Sequence, residues 1–402
     1  MTDDNFVEIR ETIFHYLSFE DIVKASEVSK LWYSSTANSK KCMEKFQINI
    51  GKDEKNEADL NTSQRSYKNL KLHNFSTSIV EYLVKHNWAR LNLLIGSISD
   101  KDFLRLLNII APSITEIEFY LENVIAKEIL PVVNFPRLET VVIRWTDMKI
   151  FEPFFGENEN LKNVVIELKQ AGTHKNVKRF LCRNKSIKNL SMRLCHLDLM
   201  DFFAEDFSDK HQLQMETLCF YWKDTLFVER KLITNVEKFF LTQKNCLKRL
   251  VYEGTFNTKS ILELIVNEMK VLKHLTLVDL DPILTQEGEY NFKPNFSIQH
   301  IDVCVNWFIF DQVFEELIKA TKNLEVLYVI ELTHDTIKFL AENAKNLRHL
   351  IYEEIEEDCE EYYNNLILGC DDDDVVNSLI QISWEQDFEL DYPEIHSKLQ
   401  FT

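Results

Sequence analysis

The chain has 402 residues, and 45% of them are hydrophobic, which is enough for a substantial folded core. Asp and Glu outnumber Lys and Arg by 65 to 46, so the formal net charge is −19 at pH 7. This balance disfavours a nucleic-acid surface and an anionic membrane as partners, because both require clustered positive charge.

Cysteine and glycine usage bears on the compartment and on the chemistry. The eight cysteines are scattered without a C-x-x-C pair, which predicts reduced thiols and a cytoplasmic and/or nuclear protein. The acidic start carries no signal pattern, and no apolar run reaches about 18 residues, so we expect no membrane span. Only 7 residues are glycine, and neither a P-loop nor a dinucleotide fingerprint occurs.

The first elements in chain order are two short helical patterns. Ile9, Ile13 and Leu17 recur at four-residue spacing, which predicts one apolar helical face. Ser18 interrupts this pattern, and its hydroxyl can cap a second helix whose first turn contains Asp21. A first helix ending near residue 17 and a second beginning after Ser18 are therefore expected.

The second helical pattern extends further along the chain. Ile22, Ala25, Val28 and Trp32 are spaced to share one face of a helix. Two short amphipathic helices bury little surface by themselves, so they need a third helix or a partner.

Residues from about 8 to 46 resemble an F-box. The family pattern combines an acidic residue, an apolar pair, an Asp-Leu step and a Val-to-Trp spacing. This chain matches it at Glu8, Ile9, Ile13, Phe14, His15, Tyr16, Leu17, Asp21, Ile22, Val28 and Trp32. The family usually opens with Leu-Pro, whereas Asn5 and Phe6 stand at the aligned positions here.

The resemblance implies that this module binds a Skp-type adaptor and, through it, a cullin. Phe6 then replaces the usual dipeptide as the apolar anchor. The residues expected to carry adaptor binding are Phe6, Ile9, Ile13, Phe14, Leu17, Ile22, Val28 and Trp32. The alternative is that the segment is only an N-terminal helical cap for the following domain.

A repeat begins after the helical segment. Phe46, Ile48 and Ile50 alternate with polar residues and predict a short strand, and a polar linker follows to residue 66. From residue 67 an apolar-x-x-apolar-x-apolar pattern then recurs in about thirteen copies at intervals of roughly 21 to 32 residues. Leu272, Leu275 and Leu277 form one such copy.

This second motif resembles leucine-rich repeats. The resemblance implies an α/β fold, an N-terminal three-helix F-box followed by a repeat solenoid with a concave parallel sheet and outer helices. The expected parts are an F-box at 5–46, a cap strand and polar linker at 47–66, the repeats at 67–385, and a tail at 386–402. An ordinary α/β domain whose strands share this pattern is the alternative.

An acidic segment interrupts the last repeats. Residues 353–361 include seven acidic side chains, and residues 371–374 are all Asp. We predict a solvated acidic loop over 353–374. Attraction of a basic partner is the alternative interpretation.

The concave face is the expected working surface, because strand side chains alternate between the core and this face. It mixes aromatic and charged residues with apolar ones, as protein interfaces do. The residues predicted to bind a target protein are Arg144, Arg193, Tyr221, Asp302 and Tyr328. Alternatively, the apolar residues reflect strand propensity alone or lie under the C-terminal tail.

Two histidines of this face share a register. His274 and His300 are expected about 5 Å apart, with Asp302 nearby. We predict no metal here, because ligands from one flat sheet rarely converge tetrahedrally. A pH-sensitive patch is another interpretation. The sequence offers no catalytic set, so we expect a non-enzymatic protein without a cofactor.

Together, the two resemblances predict the substrate-recognition subunit of a Skp–cullin–F-box ubiquitin ligase. Its partners would be the adaptor and an unidentified target protein, with a basic target one option, and neither nucleic acid nor membrane. One alternative is a ligase-independent interaction scaffold with a vestigial F-box. A small-molecule sensor of the same layout is another, but its polyphosphate cofactor would need a basic pocket.

Overall fold

A computed structural model describes most of the chain outside its C-terminal part. The described residues are 12–14, 16–45, 47–50, 67–73, 83–84, 87–94, 98–120, 130–144, 152–154, 156–167, 174–193, 213–222, 230–254, 259–278, 290–304, 311–355 and 381–384. Phe6, Ile9, the predicted linker and the predicted tail lie outside them. The chain divides into two compact units, Met1–Ser186 and Ile187–Thr402.

Three helices follow the helical residues 12–14 in the first unit: α1 (Phe19–Val28), α2 (Lys30–Asn38) and α3 (Lys40–Lys45). The predicted cap is confirmed, because the Ser18 hydroxyl accepts the backbone N–H of Asp21 at 3.2 Å.

The predicted continuous helix through Trp32 is wrong. Ser29 is extended, with φ −162° and ψ 164°, and its hydroxyl accepts the backbone N–H of Trp32. The chain therefore ends α1 at Val28 and restarts, so Val28 and Trp32 no longer share a helical face.

The helices enclose a small core, which Tyr67 of the following segment also contacts. Phe14, Ile22, Cys42 and Met43 are buried, and their partly buried neighbours include Trp32. The Phe14 and Trp32 rings meet edge to face with centroids 5.7 Å apart. Aromatic pairs of this geometry add stabilisation beyond the area that they bury.

Parallel strands form the rest of the first unit. The strands are β1 (Gln47–Ile50), β2 (Asn69–Leu72), β3 (Arg90–Leu93), β4 (Glu116–Tyr120), β5 (Thr140–Arg144) and β6 (Asn163–Glu167). Each strand pairs in parallel with the next one in sequence. Among the described residues, helices α4 (Asp100–Ile110) and α5 (His174–Arg183) accompany them, and residues 83–84 are also helical.

The second unit repeats this arrangement. Its strands are β7 (Asn189–Arg193), β8 (Thr217–Trp222), β9 (Arg249–Gly254), β10 (His274–Val278), β11 (His300–Cys304), β12 (Val326–Leu332), β13 (His349–Ile355) and β14 (Gln381–Trp384). Its helices are α6 (Arg230–Gln243), α7 (Lys259–Glu268), α8 (Asp311–Ala320) and α9 (His334–Asn343). Consecutive strands again pair in parallel.

The core lies on the helix side of each sheet. Leu275 and Leu277 of β10 are fully buried, as the apolar pattern predicts. Phe240 of α6 packs against Tyr252 of β9, with ring centroids 6.3 Å apart, which places this helix on the buried strand face. The α/β class and the parallel pairing of the strands are confirmed. Strand β1 lies within the segment where the cap strand was predicted.

Buried amide side chains join neighbouring repeats. Asn295 donates to the carbonyl of Val266 at 2.7 Å and accepts the backbone N–H groups of Ser297 and Ile298 at 2.8 and 3.0 Å. One side chain thus provides hydrogen-bond partners for a backbone carbonyl near the end of α7 and for two backbone N–H groups that precede β11. Because unpaired buried polar groups are costly, such amides hold the spacing between repeats.

The first three residues of the predicted acidic loop, 353–355, belong to a strand. Strand β13 continues to Ile355, because β12 extends alongside it and pairs Glu331 with Glu354 and Leu332 with Ile355. Residues 356–374 of the predicted loop lie outside the described residues. Across the described part of the chain, no helix combines the length and apolarity needed to cross a bilayer.

Candidate functional site

The sheet face opposite the core carries the site, and we call it the second face. In β10 it consists of His274, Thr276 and Val278, because alternate strand residues point to opposite sides. The corresponding positions of β11 are His300, Asp302 and Cys304, which are in register with those of β10.

The second face of the second unit contains a buried apolar cluster. Its buried members are Cys219, Val251, Val278 and Cys304, and Tyr328 and Ile330 pack against them. These four residues of the predicted working surface are therefore buried and cannot contact a partner directly. Side chains at matching positions of adjacent parallel strands lie about 5 Å apart, close enough to cover one another.

A polar cluster lies beside it and is centred on Asp302. His274 Nε2 lies 2.6 Å from Oδ2 of Asp302, and His300 Nε2 lies 2.6 Å from Oδ1. Thr276 donates its hydroxyl to Oδ2 at 2.7 Å. We call these four residues the Asp302 cluster.

Strand register explains why these groups meet. His274 and His300 are Cα partners on adjacent strands, and their rings stack with centroids 3.9 Å apart and planes 12° apart. Asp302 follows His300 by two residues, so its side chain emerges on the same face. The carboxylate reaches back and contacts both rings, one with each oxygen.

The cluster favours an ionised carboxylate beside a neutral imidazole. Burial alone would raise the pKa of Asp302, but hydrogen bonds from His274 and His300 outweigh it and hold that pKa well below its usual range. Burial lowers the pKa of His274, assisted by the charges of His300 and Arg249 and opposed by Asp302. Arg249 is the Cα partner of His274 on β9.

The same groups form a set of possible metal ligands. One donor atom each from His274, His300 and Asp302 fall within 4.8 Å of one another, the one such group found among the described residues. The three side chains retain exposures of 20%, 32% and 18%, so small solutes can reach them.

The predicted target-binding residues occupy separate places. Asp302 and Tyr328 are Cα partners on β11 and β12. Arg193 and Tyr221 are partners on β7 and β8, although the side chain of Tyr221 lies outside the described residues. Arg144 belongs to the first unit.

Arg144 is already paired within its own sheet. Its Nε lies 3.7 Å from Glu118 and 3.8 Å from Glu167. Burial raises the pKa of Glu118, and Arg144 partly offsets that effect. Asn92 also donates to Glu118 at 2.6 Å. The positive charge of Arg144 is therefore largely balanced before any partner arrives.

The N-terminal residues expected to bind the adaptor separate into two groups. Phe14 and Ile22 are buried at 1% and 0% exposure. Ile13 and Val28 are exposed at 40% and 72%. Leu17 and Trp32 are partly buried against the helical core.

Sequence reasoning did not include three residues that the structure places at these surfaces. It did not single out Thr276, whose position between two core leucines was the available signal. It also omitted Leu31 and Tyr33, which are 64% and 41% exposed on α2.

Comparison with known proteins adds no assignment. No protein-family model matches the chain, and a search of curated proteins finds no significant match.

Proposed function

We propose that the chain is a substrate receptor of a Skp–cullin–F-box ubiquitin ligase. The helical residues 12–45 form the F-box, and the strands from residue 67 onward form leucine-rich repeats that hold the target. The chain makes and breaks no covalent bond. It acts by proximity, raising the effective concentration of the target near the ubiquitin carrier.

The observation that carries this proposal is the concentration of exposed apolar side chains on the N-terminal helices. Of ten large apolar side chains that are exposed among the described residues, five fall within residues 13–33. They are Ile13, Tyr16, Val28, Leu31 and Tyr33. Single exposed apolar residues are ordinary, whereas five within 21 residues support a role in docking a partner.

The buried and exposed residues have different roles in this proposal. Phe14 and Ile22 maintain the helical core, so their replacement unfolds the module without testing binding. Val28 and Leu31 flank the Ser29 cap and make few internal contacts at 72% and 64% exposure. They are the residues through which the adaptor is bound.

Target binding is assigned to the second face of the second unit. Tyr328 and Ile330 are partly exposed and rest on the buried apolar cluster. A partly exposed aromatic ring supported by a packed base suits an interface anchor, because little entropy is lost when a partner covers it.

The test is association of the purified chain with a Skp adaptor, measured by calorimetry. The expected dissociation constant is about 1 μM or lower, about −8 kcal/mol. Val28→Ser with Leu31→Ser should weaken it at least about tenfold, because two exposed apolar contacts are lost. Val84→Ser is the control, since Val84 is also exposed, at 64%, but lies outside the N-terminal residues 12–45.

Two results would contradict the proposal. One is a folded wild-type chain that does not bind the adaptor, which would favour the ligase-independent scaffold. The other is equal weakening by the control and by the helix variants.

A further inference from the structure

The geometry points to a divalent transition-metal site on the second face of the second unit, with His274, His300 and Asp302 as ligands. Zinc is the ion that fits these ligands best. This inference goes beyond the proposed ligase role and does not depend on adaptor binding.

The first argument is convergence. We expected ligands from one flat sheet to diverge, yet the three donor atoms fall within 4.8 Å of one another. The reason is that Asp302 bridges the two imidazoles, contacting each at 2.6 Å through a different oxygen. Two adjacent strands thus supply three ligands without any contribution from a loop.

The second argument is the type of donor. Imidazole nitrogen suits zinc, copper, iron and nickel, whereas magnesium and calcium prefer oxygen ligands. Two histidines and one carboxylate form a known three-ligand zinc set that leaves a fourth position for solvent. The partial exposure of all three side chains keeps that position accessible.

No pair of donor atoms has to change its separation by more than about 1.5 Å, since the three atoms lie within 4.8 Å of one another. Zinc binds nitrogen and oxygen at about 2.0–2.2 Å, which places the ligand atoms of a tetrahedral site about 3.3 Å apart. The nitrogen–oxygen contacts at 2.6 Å are shorter, as expected for hydrogen bonds. Binding therefore replaces two N–H···O contacts and separates each pair by less than an ångström.

Binding must also turn at least one ring. A metal ion lies in the plane of the imidazole that binds it, and the planes of His274 and His300 are only 12° from parallel. Nearly parallel stacked planes do not meet at one ion. Side-chain exposures of 20% and 32% give the rings room to turn on the solvent side.

Zinc takes the place of hydrogen on the ligand atoms. An imidazole binds a metal through a nitrogen that carries no hydrogen, so the hydrogen on each Nε2 must be replaced by one on Nδ1 of the same ring, by exchange with solvent. Acid competes with the ion because a doubly protonated imidazole has no free nitrogen.

Two neighbours modify the affinity in opposite directions. Thr276 holds the Asp302 carboxylate by its hydrogen bond at 2.7 Å, which is the role that outer-shell groups have in metal sites. Arg249 carries a positive charge beside His274 and repels an incoming cation. Removing the Thr276 hydroxyl should therefore weaken zinc binding, and removing the Arg249 charge should strengthen it.

The experiment is a zinc titration of the full-length chain by calorimetry in a reducing, chelator-free buffer. We expect one ion per chain with a dissociation constant of about 1 μM or lower. His274→Ala and His300→Ala should each weaken binding more than about tenfold, and Thr276→Val about tenfold. Arg249→Met should tighten it several-fold.

The matched control is His349→Ala, because His349 is an exposed histidine in the same register, separated from His300 by β12. It should leave the affinity unchanged. Cobalt substitution tests for cysteine ligands, since thiolate binding gives an intense near-ultraviolet band that imidazole and carboxylate lack. Circular dichroism establishes that each variant is folded.

Three outcomes would overturn the proposal: no zinc binding by the folded wild-type chain, unchanged binding in both histidine variants, or a thiolate band with cobalt. Tightening by Arg249→Met together with loss in His274→Ala would support it, because a merely structural role for these residues predicts no change in affinity.

Discussion

Removing the Asp302 carboxylate should locally loosen the sheet between β10 and β11. Asp302→Ala deletes an acceptor that binds three donors, those of His274, His300 and Thr276. Thr276 is only 8% exposed, so water cannot readily replace its partner, whereas the histidine side chains are 20% and 32% exposed and regain solvent bonds.

The magnitude follows from that difference. A buried donor left without a partner costs about 1–3 kcal/mol, and the partly exposed histidines add a smaller amount, which gives about 2–4 kcal/mol in total. At 1.36 kcal/mol for each tenfold change, this corresponds to a loss of protection against hydrogen exchange of about 30- to 900-fold in these strands.

Hydrogen exchange of peptides from β10 and β11, in the presence of a chelator, is the appropriate assay because it reports local stability. Asp335→Ala is the control, since Asp335 is exposed in the first turn of α9 and should contribute less than about 1 kcal/mol. If Asp302→Ala reduces protection less than about threefold, well under 1 kcal/mol, the inferred dependence on Asp302 is refuted.

Three further predictions concern stability. Ser29→Ala should lower the free energy of unfolding by about 1 kcal/mol, because the N-cap of α2 is lost. The change should appear as a lower melting temperature, and an unchanged melting temperature would contradict a stabilising role for this cap. Asn295→Ala should lower the free energy of unfolding, measured with denaturant, by about 2–4 kcal/mol, because it leaves buried backbone groups unpaired. Asn323→Ala is the control: it removes an exposed hydrogen bond and should cost less than about 1.5 kcal/mol. Burial lowers the pKa of His274 in the folded chain. In the unfolded chain this histidine takes up a proton near its ordinary pKa of about 6.5. Since the unfolded state then binds more protons than the folded state, the free energy of unfolding should fall from pH 7 to pH 5. Denaturation over this range should show a smaller fall in His274→Gln, and an equal fall in both chains would exclude His274 as the cause.

Local sequence was sufficient to place most elements. The apolar triplets, such as Leu272, Leu275 and Leu277, located the strands because burial of every second residue is a property of the strand itself. Ser18 marked the start of α1 for an equally local reason, since a hydroxyl in that position satisfies a free N–H of the first turn.

The helix break at Ser29 could not be predicted from the spacing of apolar residues alone. The spacing of Ile22, Val28 and Trp32 suits one continuous helix, while Ser29 can equally cap a new one. Contact of Trp32 with Phe14 accompanies the restarted helix, and that contact depends on packing between elements distant in sequence. Exposure of Val28 is a consequence of the same break.

The sequence by itself determined that this protein is a series of parallel strands with an apolar core and a helical N-terminal segment, because those features depend on periodicity. It also placed His274 and His300 in one register. Only the tertiary structure decided which side chains of the second face are buried and how Asp302 draws the two imidazoles together. Those outcomes depend on side-chain directions and on neighbours 26 or 28 residues away in the chain, which periodicity does not encode.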